Sequence, residues 1–525
     1  MTDFDDVPAS LRGTKRKQPG DEVKLTFSQR LAASRKIPKH AAPGSDATSD
    51  VADDRSSLKF FNSSDNEGLP EDTAYLHKDE QFRNLYASEI NFAALADQDD
   101  EFRACLKETG NLDFSDPLSV GKLTKSLLRV DFGLRIEVPG DRLCPPVPNR
   151  HNYILWIKEL LDSSSSSYTE TYEPRRKVTG VDIGTGASAI YPLLGCVQRP
   201  AWSFIATEID DKSLAYAQKN IAVNDLLSRV QVVKRSAEER LIPLEDGDVR
   251  EVDFIMTNPP FYTSESELLE LANKKARPPN SVCTGAPNEM VCEGGELGFF
   301  RRILTESLVL RSRVQWYTTM LGKQSSLEIV IQALKENNIE NYAITEFVQG
   351  SRTRRWAVGW SFVSRRPNNK ACRGFEPAAG KKLLPHLTDM TVASKDVKRG
   401  GAPQLENVFW TQLEDVTDGL DLVSWSLDED RLRVVGFADQ NVWGRAYRRS
   451  KTKQPRAMKI SAQRDTPKSV SECPFGFSIA IRTVADPQAG KDNVVVIARW
   501  LQGTDHALFE SFAGMLRNAL LNVVS

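Results

Sequence analysis

Residues 177–190 read KVTGVDIGTGASAI: a short apolar strand, a turn carrying two glycines, and the beginning of a helix. The apolar run that ends at Ile183 cannot pass into a helix until the glycines are behind it, so the order of elements is set here. Gly184 and Gly186 let a ligand approach the backbone closely, and the unpaired N–H groups of the following helix attract its polar atoms. Alone, the turn fits an ordinary strand-to-helix connection or part of a dinucleotide fold, although Ser188 and Ala189 do not supply that pattern's final glycine.

Working outward, strands and helices alternate. WSFIATEID (202–210), VQVVKRS (230–236), VDFIMTNPP (252–260), RVQWYTTML (313–321), NYAITEFVQG (341–350) and RWAVGWSFV (355–363) read as strands. Helical spacing marks 187–197, 211–227, 293–310 and 325–337. Repeated strand–helix units predict a mostly parallel sheet covered on both faces, with ligands at the carboxyl ends of its strands. One edge of the sheet then gathers Gly184, Glu208, Ser236 and Asn258.

Glu208 lies 24 residues beyond Gly184, at the end of the second strand, where an acid can accept both hydroxyls of a ribose. The alternative is a helix start capped by Asp210 or Asp211, with Glu208 merely solvated. Asn258-Pro259-Pro260-Phe261 ends a further strand. Two prolines fix their own φ and donate no hydrogen bond, so the chain leaves the strand rigid with its carbonyls exposed. The Asn258 side-chain oxygen and the Pro259 carbonyl are two acceptors for the two hydrogens of an exocyclic amine, and Phe261 can stack on the attached base. Those bonds concentrate electron density on the nitrogen, and no strong general base is needed because the amine becomes acidic once methylated.

Upstream, residues 1–68 are polar, contain KRK at 15–17, and read as a disordered tail or a nuclear-import tract. Residues 69–150 read as a helical extension, with LRIEVP (134–139) as a strand candidate; a helix follows at 147–162, then five serines (163–167) as a flexible link into the alternating region. Residues 364–405 read as a linker, and 406–525 as a small α+β domain that includes VFWTQLE (408–414) as a strand. The net charge of −2 marks no global nucleic-acid field, so basic segments must be read locally. Seven scattered cysteines without a C-x-x-C pair argue against a disulfide framework or a zinc site. No apolar run approaches membrane-spanning length. A soluble, intracellular protein is expected.

The blocks VDIGTGASAIYPLLG, ATEIDD, NPPF, VCEGGELGFFRRI, WYTTMLGKQSSL and TEFVQGSRTRRWAVGWSF resemble the methyltransferase-like protein 16 family of S-adenosylmethionine-dependent RNA adenine-N6 methyltransferases. The similarity runs from Ala74 to Phe362, and bacterial 23S rRNA adenine-N6 methyltransferases are more distant relatives. The resemblance implies a seven-stranded Rossmann-like class I methyltransferase domain over 151–363, a helical RNA-binding extension over 69–150, and S-adenosyl-L-methionine as cofactor. It implies a structured RNA as substrate, U6 small nuclear RNA first and ribosomal RNA as the alternative, and a nuclear location, with the cytoplasm as a second one. By matched position, Arg150 takes the cofactor's carboxylate, Gly184, Ser188 and Glu208 form its turn and ribose acid, and Asn258 to Phe261 are the catalytic tetrapeptide. Glu239, aligned near a family threonine, and Asn258 are counted with the cofactor-binding residues, while Glu238 stands near a family lysine that guards the pocket, so that gating role does not transfer directly. No metal is implied.

RNA contacts are expected from Lys274, Lys275 and Arg277 in the long insertion after the tetrapeptide. They are also expected from Arg352, Arg354 and Arg355, and from the segment 443–464, whose eight Lys and Arg residues, Arg448 and Arg449 among them, are interrupted by no acid. A binding protein with incidental catalysis is the competing reading.

Overall fold

The computed structural model describes residues 71–244, 250–267, 270, 285–349, 353–375, 381–453, 469–486 and 490–524. Two compact units divide the chain, one covering 60–386 and one containing 387–525. In the first, strands β1 (Val178–Ile183), β2 (Trp202–Glu208), β3 (Val230–Lys234), β4 (Val252–Thr257), β5 (Val314–Leu321), β6 (Tyr342–Gln349), β7 (Thr353–Trp360) and β8 (Arg373–Gly374) form one sheet. Their order is β3-β2-β1-β4-β5-β7-β6-β8. The first five run parallel to one another, and β7 runs antiparallel between β5 and β6. The sheet carries one strand more than the seven expected, because two residues of β8 pair with β6.

Helices cover both faces, as near-continuous apolar strands require. On one side α1 (Glu71–Asn84), α2 (Pro117–Phe132), α3 (Val147–Ser163) and α4 (Ile190–Gln198) contribute Phe82, Leu127, Ile157 and Leu193 to a core shared with Phe254 and Met256 of β4. On the other, α6 (Gly295–Leu310) and α7 (Gln324–Glu336) pack Phe300, Ile303, Leu327 and Ile331 against Val181, Ile255 and Tyr317. Between β2 and β3 lies α5 (Asp211–Val223). The N-terminal helices share a core with the sheet rather than forming one of their own. Helix α2 begins as the sequence predicts, with the Asp116 carboxylate accepting from Leu118 N and Ser119 N and Pro117 in the first turn.

Four expectations are corrected, three of them here and one in the second unit. LRIEVP is extended but is not a strand: the amides of Asn220 and Asn224, on and just after α5, exchange bonds with its backbone, Glu137 N to Asn220 Oδ1 at 2.8 Å and Asn224 Nδ2 to Arg135 O at 2.7 Å. Side chains there play the part of a neighbouring strand. The serines at 163–167 are not a flexible link, since Ser163, Ser164 and Ser165 are buried and the Ser164 hydroxyl both donates to Leu160 O and accepts from the Trp316 indole. Residues 364–405 are not a linker: β8 closes the first sheet, and β9 (Asp389–Lys398) belongs to the second.

In the unit containing 387–525, β9, β10 (Ser424–Asp428), β11 (Arg433–Ala438), β12 (Phe475–Asp486) and β13 (Lys491–Gln502) form an antiparallel sheet in the order β10-β11-β12-β13-β9. Helices α8 (Ala402–Asp418) and α10 (His506–Val524) bury Phe409, Trp410, Leu413, Phe509, Phe512 and Leu516 against it. VFWTQLE is therefore helix, not strand, and the burial of 409, 410, 413 and 417 has the helical period. Helix α9 (Arg445–Lys453) carries Arg448 and Arg449, both exposed. Among the described residues no helix is long and apolar enough to cross a membrane, and no His, Cys, Asp and Glu cluster could hold a metal.

Candidate active site

The order of strands reverses between β1 and β4, and there a doubly wound sheet opens a crevice at its carboxyl edge. Ile183 stands opposite Thr257 in register, and the Thr257 hydroxyl donates to Ile183 O at 2.9 Å. The residues that follow them, Gly184 and Asn258, accordingly leave the sheet side by side. Gly184 and Gly186 adopt φ of 72° and 65°, and a Cβ placed on Gly184 would meet open space. The left-handed backbone is thus what demands glycine at 184. Ser188 is buried in the same turn.

Glu208, at the end of β2, is buried, and its carboxylate holds the turn together: Oε2 accepts from Gly186 N at 2.8 Å, and Oε1 from Ile209 N and Asp210 N. Asp210 caps α5 through Ser213 N, as the alternative reading of this strand end had it, but Glu208 is not simply solvated. Arg150, on α3, is buried beside them, donating to Asn258 Oδ1 at 3.2 Å and contacting Met320 Sδ, with its guanidinium 5.7 Å from the Tyr191 ring. The glycine turn, Glu208, Arg150 and Asn258 therefore meet at one point.

Sequence reasoning missed Asp182. It lies fully buried on β1, and neither of its carboxyl oxygens has a hydrogen-bond partner. Burial, with Glu208 nearby, pushes its pKa up to about 7. The hydroxyls of Thr185 and Tyr191 are buried and unpartnered as well. An acid two residues before the glycine turn was the available signal. Such orphaned polar groups beside an open glycine fit a ligand that carries its own donors and charge.

The tetrapeptide Asn258 to Phe261 is held from behind. Tyr262 N donates to Met290 O and Cys292 N to Tyr262 O, so the chain after the insertion returns to pair with the chain leaving Phe261. Phe261 rests on Gly322, where a Cβ would come within 2.9 Å of its ring. Gly322 N in turn donates to the buried carboxylate of Glu296. The guanidinium of Arg355 lies over the Phe261 ring at 5.3 Å. Pro259 is buried and Pro260 half-buried, which keeps the segment rigid.

Other candidates fall differently. Arg354 is paired across the strands with Glu346 through two contacts of 2.9 and 3.0 Å. Glu239 is exposed, accepts from Ser236 N at 2.8 Å and pairs with Arg235, so its side chain fastens its own loop; Arg302 pins that loop through Ala237 O and Glu239 O. Lys274, Lys275, Arg277, Arg352 and Cys283 lie outside the described residues. The other cysteines are free thiols.

A model of a protein family described as RNA methyltransferase matches residues 75–364, more than half of the chain. The chain belongs to this RNA methyltransferase family. It is 36% identical over 415 residues to the U6 small nuclear RNA (adenine-(43)-N(6))-methyltransferase of Schizosaccharomyces pombe, covering 79% of this chain and 96% of that one. It is 33% identical to the RNA N(6)-adenosine-methyltransferase mettl16 of Danio rerio, over 86% of this chain and 99% of the relative. Against the Homo sapiens METTL16 protein the identity is 42%, over 55% of this chain and 51% of the relative. A crystal structure of the hMettl16 catalytic domain in complex with a MAT2A 3'UTR hairpin covers 53% of this chain and 94% of that one, at 40% identity and a TM-score of 0.48. The family match spans the whole crevice of this methyltransferase, from the helices before β1 to the end of β7.

Proposed function

We infer that the chain is an S-adenosylmethionine-dependent RNA methyltransferase forming N6-methyladenosine in a structured RNA, with U6 small nuclear RNA as its first substrate and the nucleus as its place of work. The observation that carries this reading is the juxtaposition of Gly184 and Asn258 at the strand-order reversal, with Arg150 and Glu208 converging on it. The relatives matched over 96% and 99% of their lengths, both named as RNA adenine methyltransferases, support it.

When bound, S-adenosylmethionine supplies an electrophilic methyl group on its sulfonium. Arg150 would hold its carboxylate, Glu208 the ribose hydroxyls, and Asp182 with Thr185 its remaining polar groups. Asn258 Oδ1 and the Pro259 carbonyl accept the two N6 hydrogens of adenine, which keeps electron density on the attacking nitrogen. Phe261, seated on Gly322, stacks on the base once it is turned out of the RNA. Arg355 places positive charge beside that base, and the proton lost after transfer passes to water. Arg150 engages Asn258 Oδ1, so the same guanidinium would hold a cofactor carboxylate beside the acceptor that adenine needs.

RNA outside the crevice is held by the helices within 69–150 and by Arg448 and Arg449 of the unit containing 387–525, where phosphate contacts need charge rather than a shaped pocket. The test is mass spectrometry of nucleosides from U6 and ribosomal RNA, with and without the protein, beside purified wild type and Asn258→Ala acting on U6 and ribosomal transcripts. The reading expects N6-methyladenosine in U6 that disappears without the protein and with the variant. Persistence unchanged in both RNAs overturns it, and loss confined to ribosomal RNA moves the substrate there.

A further inference from the structure

Glu289 lies in the short turn Pro287–Met290, where the chain comes back from the insertion, and no role follows for it from the tetrapeptide or the ribose acid. Its Oε2 accepts from Ala286 N at 2.7 Å and from Leu143 N at 3.0 Å, joining this turn to the segment that leads into α3. Among the described residues no hydrogen bond reaches Oε1. That oxygen faces the glycine turn: a Cβ built on Gly186 would lie 3.7 Å from it. Gly186 is therefore bracketed by two carboxylates, Glu208 on its N–H and Glu289 on the side where a side chain would stand. The fully buried and unpartnered Asp182 adds a third acid at the same turn. Against them stands Arg150, while Arg142, near Glu289, is already bound by Asp210 and Asp141. Partial burial raises the Glu289 pKa, and Glu208 adds to the rise, as expected for a half-buried acid facing another acid.

Such a pocket favours a ligand with net positive charge. S-adenosylmethionine carries one, because its sulfonium and ammonium outnumber its carboxylate; S-adenosylhomocysteine, left after methyl transfer, is neutral overall. We propose that Glu289 is a specificity-determining residue of the cofactor site, whose unbonded oxygen selects the sulfonium cofactor over the thioether product by charge. The inference rests on the S-adenosylmethionine reading above. It gives the turn after the insertion a second task besides closing the tetrapeptide: removing the methyl group removes the attraction that Glu289 exerts, which promotes product release.

The test is isothermal titration of the full-length protein with S-adenosylmethionine, with sinefungin, which bears an ammonium in place of the sulfonium, and with S-adenosylhomocysteine. Glu289→Gln keeps an acceptor for the two N–H groups and loses only the charge. The expected result is about tenfold weaker binding of the two cationic ligands, with the neutral one changed less than about threefold. Equal weakening of all three, the mark of a merely structural tether, overturns the proposal, as does no change. If thermal melting shows Glu289→Gln unfolded, Glu289→Asp is read instead; its shorter side chain withdraws the charge from Gly186, and the same selective loss, smaller in size, is required. Wild type that binds none of the three ligands overturns the cofactor reading and this proposal together, which separates that failure from a failure of Glu289 alone.

Discussion

Arg150 donates through its guanidinium to Oδ1 of Asn258 across 3.2 Å, joining a residue of α3 to the end of β4. The pair links the residue expected to bind the cofactor with the one expected to polarise the substrate amine. Arg150→Ala removes a buried cation that a cofactor carboxylate would meet, and truncating one partner of such a buried pair costs roughly 2–5 kcal/mol. Titration calorimetry with S-adenosylmethionine should show a loss of affinity of at least about thirtyfold by that reckoning. Unchanged affinity would exclude Arg150 from the site.

Asp182 makes the protein sensitive to pH. Burial raises its folded pKa from the ordinary 3.8 of a carboxyl to about 7, so the folded state binds the proton more tightly than the unfolded chain. Stability from this group is complete below pH 3.8 and is lost as pH rises through 7. Asp182→Asn removes that dependence. Urea unfolding of the two ligand-free proteins at pH 5 and pH 8 should show wild type losing stability relative to the variant at the higher pH, and parallel curves would refute the assignment.

Gly322 seats Phe261, the ring proposed to stack on the base. A methyl group there would press to 2.9 Å from the Phe261 ring and 3.2 Å from Glu296, so the ring must move. Overpacking of this kind costs about 1–3 kcal/mol, and the displaced ring stacks poorly. Gly322→Ala should lower kcat/KM for the RNA about 10- to 100-fold while cofactor affinity stays within about twofold. A comparable loss of cofactor binding would mean that the whole crevice had collapsed.

Asp79 anchors the N-terminal helices. It lies buried on α1 and pairs with Lys158 at 2.6 Å, Arg83 at 2.9 Å and Arg199 at 3.1 Å, with Lys158 and Arg199 themselves almost wholly buried. Asp79→Ala strands those cations away from water, which costs about 3–5 kcal/mol. Chemical denaturation should show that loss over the whole first unit in one transition. Loss of the helices alone, with the sheet intact, would make the extension a separate domain.

Much of the site was legible because it is local. A glycine turn after an apolar strand, an acid at the end of the next and a tetrapeptide with two prolines each carry their chemistry in consecutive residues, and the alternation of strands and helices places all three on one edge. The misreadings share a cause. LRIEVP has the composition of a strand, but its partners are amide side chains reached from α5, more than 80 residues away in sequence. The serines look flexible until β5 arrives to bond them. VFWTQLE is too short to separate a period of two from 3.6, and packing against β12 and β13 decided between them.

The sequence by itself determined the order of elements, the positive φ at Gly184 and the rigid exit at Pro259 and Pro260, since these follow from the covalent freedom of single residues. Only the tertiary structure decided which charges meet. That Arg150 reaches Asn258, that Arg355 lies over Phe261, and that Asp182 and Glu289 face the same turn depend on residues far apart in the chain, and that Arg354 is taken by Glu346 depends on the pairing of two strands. Electrostatic energies vary with distance and burial, and neither exists until the chain has folded.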